Sequence, residues 1–493
     1  MKKIFVIMSI ALASIAFAEW TEPVRIGIPG GCHYPQIVAE GDTLHVVYTN
    51  LTRGDKIVYL RSEDAGDTWS QSQILSDTID THRAMFVRIG KFGERIIVLW
   101  QNIFDHGLRR CNIGYALSED NGETWTGPLY VLSPCWEHIL YFSASASDSV
   151  VNIILSSRID LDLVFFNIRS TDFGSSWSEP EEIFMAAMST MNDQVSYNNM
   201  VYYSWAGIFN WEDEFEVYFL GSSDGGISWS ENNIISDNDQ ILSKFPSLCT
   251  DEFGSIGLCW WDYKYSPGHW INGDILFKHS FDDGTTWGPE DQVTTEHRAE
   301  MSDIFWSTDT LHIVWEDWRF GLPTIYYVKS PDSIHDWSNK QRLEDDPEDS
   351  DNPAVAASDG NAYVIWADDK CVPDTDICGG IYFTRWQAEV RVQELEDIIL
   401  ADNYSLEVYP NPFNSKVIIS FKMTKGGEAD IGIYDINGRL VKTILKGGKL
   451  EKGMHKFSWD ATDNSGRRVS SGVYYVKAVM LHVNKIAKIV YLK

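Results

Sequence analysis

Trp315-Glu316-Asp317-Trp318-Arg319 brings two carboxylates, a guanidinium and two indoles within five residues. Sugars are held by such mixtures. The apolar face of a sugar ring stacks on an aromatic ring, and its hydroxyls exchange hydrogen bonds with charged groups. A carboxyl placed there also suits general acid or base work on a glycosidic bond. Similar stretches recur at Trp260-Trp261-Asp262-Tyr263-Lys264 and Ile365-Trp366-Ala367-Asp368-Asp369-Lys370. Asp317, Asp262 and Glu316 are therefore the candidate acid/base residues, and Trp318, Trp270 and Trp211 the candidate stacking surfaces. Recurrence also admits a structural meaning, in which each Asp pairs with its own Arg or Lys across a loop.

A second set of residues carries positive charge. His82-Arg83-Ala84 and His297-Arg298-Ala299 are near copies, and aligned strand starts place His33, Arg83, Lys244, Arg298 and Asp351 at one step. A ring rich in cations would attract an anionic ligand, and arginine binds carboxylates through two parallel hydrogen bonds. Arg83, Arg298 and Arg319 are the candidate anion holders, with His33 beside them. The competing reading has these cations neutralise neighbours such as Glu296 and Glu300. The acidic run Glu344 to Asp351 offers oxygens to calcium but lacks EF-hand spacing, so a solvated loop competes with a cation site. No other cofactor is expected.

The seven cysteines show no metal-ligand spacing with histidines. Cys371 and Cys378 bracket one loop and are expected to pair. Cys249 and Cys259 flank a predicted turn and are placed face to face across a hairpin, and Cys32, Cys111 and Cys135 leave an odd thiol. The chain has no phosphate-cradling glycine loop, zinc-protease helix or serine-nucleophile elbow.

These residues are positioned by a repeat. Ser62-Glu63-Asp64-Ala65-Gly66-Asp67-Thr68-Trp69 returns as Ser-x-Asp-x-Gly-x-Ser/Thr-Trp at Ser118, Ser170, Ser222 and Ser280, and a copy without the glycine starts at Ser330. A period near fifty residues marks a propeller, solenoid or array. Each copy follows a run of strand formers such as Lys56-Ile57-Val58-Tyr59-Leu60. Ser and Asp side chains fix a tight turn, Gly supplies φ > 0, and Trp buries a large apolar face. Asp64, Asp120, Asp172, Asp224 and Asp282 are thus expected to lock turns.

The repeat resembles the Asp box, and residues 19–388 are similar to the sialidase (bacterial neuraminidase repeat) propeller superfamily. The resemblance implies an all-β propeller. In four-stranded antiparallel blades the b–c loops lie opposite the boxes and are the longer and chemically richer ones, so ligands are expected on that face. Strand triplets near Tyr34, Ala84, Ile139, Val195, Phe245, Glu300 and Pro353 count seven blades, where sialidases of this superfamily have six. Trp20-Thr21-Glu22-Pro23-Val24 resembles the strand after a box and is expected to complete the last blade. The family's substrate site has three arginines, a Tyr nucleophile with a Glu, and an Asp acid/base. Its first arginine opens the first blade; here that stretch reads His33-Tyr34-Pro35.

Met1 to Ala18 reads as a secretory signal, ending in Ala16-Phe17-Ala18. No later apolar run is long enough to span a membrane. The net charge is −31, and acidic residues dominate the propeller, which argues against nucleic acid as partner. After an acidic connector at 389–403, residues 404–493 alternate short strands with Gly/Asn turns, as a small sandwich does. The opening Tyr409-Pro410-Asn411-Pro412-Phe413-Asn414 resembles the sorting domains of the type IX secretion system and the related immunoglobulin-like flagellar-hook-capping repeat. That resemblance implies the secretion machinery as partner and an exported protein, secreted or held at the outer-membrane surface of a Gram-negative-type bacterium. Three functions follow: glycan recognition, hydrolysis of anionic sugars in the manner of an exo-sialidase, or a non-catalytic platform for proteins.

Overall fold

The computed structural model describes residues 20–386 and 405–493, apart from short segments at 77–82, 106–109, 133–135, 138, 161, 252–253, 266–272, 308, 332–334, 345–348, 372–377, 424–426, 436–438 and 481–482. The chain divides into two compact units between Ala388 and Glu389.

The first unit is a propeller of seven sheets. The innermost strand of each blade, strand a, is Cys32–Glu40, Arg83–Phe92, Ile139–Ser147, Met188–Tyr197, Ser243–Thr250, Ala299–Ser307 and Ser350–Ser358 in blades 1 to 7. Strands b, c and d follow outward, each antiparallel to the last. In blade 2, two short strands, Thr126–Tyr130 and Trp136–Glu137, both pair with strand c, Arg110–Ser118. Blade 7 takes its outer strand from the start of the chain: Val24–Ile26 pairs with Cys378–Trp386, Trp20 bridges to Trp386, and Thr384 Oγ1 donates to Thr21 O at 2.6 Å. The ring is closed by that seam.

Strands b are buried on both faces, so their sequences are nearly continuous hydrophobic runs. Trp100, Trp205, Trp260, Trp315 and Trp366 lie on strand b of blades 2, 4, 5, 6 and 7, each with no exposed surface. Much of the tryptophan content is thus blade packing.

The repeated turns join strands c and d. Ser62 Oγ donates to Asp64 Oδ1 at 2.7 Å and accepts from Gly66 N at 2.8 Å; Asp64 also accepts from Thr68 N and Thr68 Oγ1. The same bonds recur at Asp120, Asp172, Asp224 and Asp282. They favour the ionised carboxylate, and Asp64, Asp120 and Asp224 are pulled down to about 2, hydrogen bonds from the Thr or Ser side chain contributing most. The glycine has a second reason. A Cβ on Gly122 would stand 1.8 Å from Tyr59 Oη, and one on Gly66 2.3 Å from Phe383, both on strand c of the preceding blade. Arg385 of blade 7 reaches into the blade 1 turn, donating to Ala65 O at 2.8 Å and Asp67 Oδ1 at 2.6 Å. Each turn therefore clasps its neighbour.

Cys371 and Cys378 form a disulfide. Cys249 and Cys259 do not: Cys249 lies opposite Gly257 and Cys259 opposite Ser247, two steps out of register, and both are buried free thiols. Cys32 and Cys111 are likewise free and buried; Cys135 lies outside the described residues.

The second unit is a two-sheet sandwich. Ser405–Tyr409, Val417–Met423 and Gly453–Trp459 form one sheet; Leu440–Leu450, Gly427–Tyr434, Gly472–Met480 and Val483–Tyr491 form the other. Phe413, Trp459, Tyr474 and Tyr491 close the core between them. The expected signal at 1–18 and the connector at 389–403 lie outside the described residues. Among those described, no helix is long and apolar enough to cross a membrane.

Candidate functional site

Strand a of every blade starts on the face opposite the repeated turns and runs down the ring's axis. Near that start the pairing slips in each blade, and Tyr34, Phe86, Phe245, Met301 and Asn352 have positive φ in blades 1, 2, 5, 6 and 7. Left-handed backbone is costly for large side chains, and bulges of this kind re-aim a side chain. Below them a cavity of about 710 Å³ descends between the seven strands a, lined by Tyr34, Met191, Phe245, Met301 and Asn352 at its upper end.

One residue before each left-handed position stand His33, Met85, Lys244, Glu300 and Asp351. This corrects the expected alignment. Arg83 and Arg298 precede Phe86 and Met301 by three residues, so the ring at the mouth is mixed in charge rather than cationic. Its charges meet between neighbouring blades. His33 Nδ1 lies 3.6 Å from Asp351, whose hydrogen bond holds the imidazole's pKa above its ordinary value. Burial lowers Lys244, opposed by the charge of Glu300. Burial raises Glu300 in turn, opposed by Lys244. Glu316 faces Glu300 across the strand pair, accepts from Asn352 N at 2.8 Å, and is pushed up to about 8, chiefly by burial. Next to His33, Tyr34 packs on Phe86 at 4.7 Å between ring centroids, and Phe86 on Tyr141 at 6.4 Å. The mouth thus runs from acids of blades 6 and 7 into an aromatic arc of blades 1 to 3.

Asp317 and Asp262 are placed differently. Both are buried at the end of strand b, where blades 1, 2 and 7 carry the buried Asn50, Asn102 and Asp368. Asp262 accepts from Ser243 Oγ, Trp260 Nε1 and Lys264 N, and Asp368 from Ser350 Oγ and Lys370 N. The carboxylate therefore ties the start of strand a to the b–c loop. In blade 6 the serine is replaced by Ala299, and Arg319 takes over, donating from Nε and Nη2 to Asp317 at 2.6 Å each. Pairing across the loop holds for Asp317 and Arg319. Lys264 instead turns to Asp237 and Glu290, at 2.5 and 2.8 Å.

The three candidate arginines have different surroundings. Arg83 is exposed, 3.2 Å from Asp55. Arg319 is engaged by Asp317 and stacks over Tyr326 at 4.5 Å. Arg298 is half-buried, its carbonyl accepting from Trp318 N at 2.9 Å. Among the described residues no contact joins any two of these side chains. Trp211 is 62% exposed and Trp318 half-buried; Trp270 lies outside the described residues. Among those residues no cluster of three or more His, Cys, Asp or Glu could hold a metal ion. Of the acidic run, 345–348 is outside the description, while Glu344 is buried and accepts from Ile325 N.

Arg88, Asp193 and Asp303, absent from the candidates above, lie in the cavity wall. Asp193 accepts from Leu248 N, and Asp303 from Ser247 Oγ and Val355 N, so these carboxylates staple blades 4 to 7. The signal available was a charge inside an otherwise apolar inner strand.

Comparison with known proteins places both folds. Residues 411–481 match the FlgD Ig-like domain. The chain superposes on an ulvan lyase of a polysaccharide lyase family with a TM-score of 0.50, at 11% identity, over 73% of this chain and 95% of that one. Penicillium chrysogenum α-L-arabinanase (TM-score 0.44, 11% identity, 74% and 98% covered) and Trypanosoma rangeli sialidase (0.42, 12%, 94% and 84%) are also similar. No curated protein sequence matches the chain. This protein is an all-β propeller followed by an Ig-like sandwich.

Proposed function

We propose that this is an exported glycan-recognising protein whose propeller binds sugar at the channel mouth, on the face opposite the repeated turns. The observation that carries the reading is the mouth itself: His33, Lys244, Glu300 and Asp351 for hydroxyls, with the rings of Tyr34, Phe86 and Tyr141 continuing from His33. The fold is one that ulvan lyase, arabinanase and sialidase also use, and those proteins act on sugars. The repeated turns are Asp boxes in this reading, and the chain a divergent member of the sialidase superfamily. Residues 1–18 are its export signal, and the sandwich is a type IX sorting domain that delivers it to the cell surface or medium. A glycan array probed with the full chain and with Tyr34→Ala tests the reading. Binding lost in a folded Tyr34→Ala protein supports it; an unchanged binding pattern removes the mouth as the site.

A second reading, a glycoside hydrolase, draws on one feature. Glu316, pushed up to about 8 beside Glu300 and Asp351, keeps its proton at neutral pH, as a general acid must. In that case Glu316, rather than Asp317 or Asp262, is the acid. Release of a fluorophore from aryl glycosides, an α-sialoside among them, would fall at least 100-fold in Glu316→Gln; absence of turnover with all of them leaves binding alone.

A further inference from the structure

The loops above the mouth carry apolar surface that the mouth does not account for. Among the described residues of the b–c loops, the large exposed rings are Phe209 and Trp211 in blade 4, Tyr265 in blade 5 and Phe320 in blade 6, between 40% and 62% exposed. They stand on consecutive blades. They do not form one greasy patch, because each is flanked by polar groups. Asn210 Nδ2 donates to Asp213 Oδ2 at 3.0 Å beside Trp211. Tyr265 Oη lies 3.3 Å from Glu290, and the Lys264 ammonium 5.5 Å from the Tyr265 ring. The Arg342 guanidinium sits 5.2 Å from the Phe320 ring.

We infer that this rim takes an internal stretch of a long, uncharged glycan chain, with Trp211, Tyr265 and Phe320 as successive stacking platforms along it. The inference rests on the glycan reading proposed for the mouth. Single rings separated by hydrogen-bonding groups match a sugar chain, which alternates apolar faces and hydroxyl edges; a protein partner would call for a contiguous apolar core. One sugar residue cannot touch rings on three separate blades, so the rim is built for several. Of the cations nearest the rings, Arg319 is engaged by Asp317 and Lys264 by Asp237 and Glu290, so among the described residues Arg342 over Phe320 is a single charge rather than a row for a polyanion.

Calorimetric titration of the full chain with linear arabino-, xylo-, manno- and cello-oligosaccharides of one to eight residues, and with oligogalacturonates, tests this. In at least one neutral series, affinity is expected to rise tenfold or more between two and six residues. Trp211→Ala or Phe320→Ala is then expected to weaken the six-residue ligand about tenfold and leave the disaccharide unchanged, the loss of one stacking contact. Affinity independent of chain length, or a preference for oligogalacturonates, overturns the extended neutral chain while leaving sugar recognition in place. No binding by any series to folded protein overturns both.

Discussion

Asp317 and Glu316 are neighbours in sequence with opposite surroundings. Asp317 has a guanidinium, an indole N–H and a backbone N–H aimed at it, whereas Glu316 is buried with a single backbone donor from Asn352. Replacing Asp317 by Ala leaves Arg319 without its main counter-charge. Because Arg319 keeps about a quarter of its surface in water, the expected loss is about 2 kcal/mol rather than the larger cost of a sealed pair. Urea denaturation reads it directly, and unchanged stability would refute the anchor role. The residue types of this stretch were plain in the sequence, but which carboxylate was the anchor was not. A strand buried on both faces has no polar alternation to set its phase, so nothing in Trp315-Glu316-Asp317 says which side chain faces a loop and which a neighbouring blade.

At the scale of the element, the turn and the inner strand were unequally legible. The Ser-x-Asp-x-Gly-x-Ser/Thr-Trp spacing states its own hydrogen bonds, and the seven-blade count and the seam follow from counting strands between copies. The glycine's contact with the preceding blade was hidden, since it depends on packing between repeats. Gly122→Val puts a β-branched residue at φ +84° with its Cβ on Tyr59. The expected cost is about 3 kcal/mol, seen as a lower thermal midpoint; an unaltered midpoint would contradict the clasp. The slip in strand a left no such trace. Its left-handed positions hold Tyr34, Phe86, Phe245 and Met301, types that ordinarily avoid that backbone, so the alignment of Arg83 and Arg298 with His33 and Lys244 failed by two residues.

Across the whole propeller, buried acids set the response to pH. Burial pushes Asp303 up to about 7 in a wall shared with Asp193 and Arg88, and pushes Glu216 and Glu344 up to about 7 and Glu316 up to about 8. Each folded value lies above the ordinary carboxylate value, so folding takes up protons between about pH 4 and pH 8. Their stabilising effect is complete below pH 4 and is lost as pH rises through 7 to 8. The turn aspartates have depressed values and contribute above about pH 4, so they do not offset this loss. The thermal midpoint is therefore expected to fall from pH 5 to pH 8, with a shallower fall in Asp303→Asn; a midpoint that rises over this range would contradict the assignment.

The seam that closes the ring joins Thr21 to Thr384, residues 363 apart. At synthesis rates of about 5–20 residues per second, the first strand made waits roughly 20–70 s before its partner exists. Throughout that interval Val24–Ile26 has no sheet to join, and afterwards blade 7 keeps an open edge until it arrives. The circle is finished by the first of the propeller's strands in chain order, so whatever keeps that segment extended and unpaired during its wait decides whether the molecule closes on itself or on a second copy.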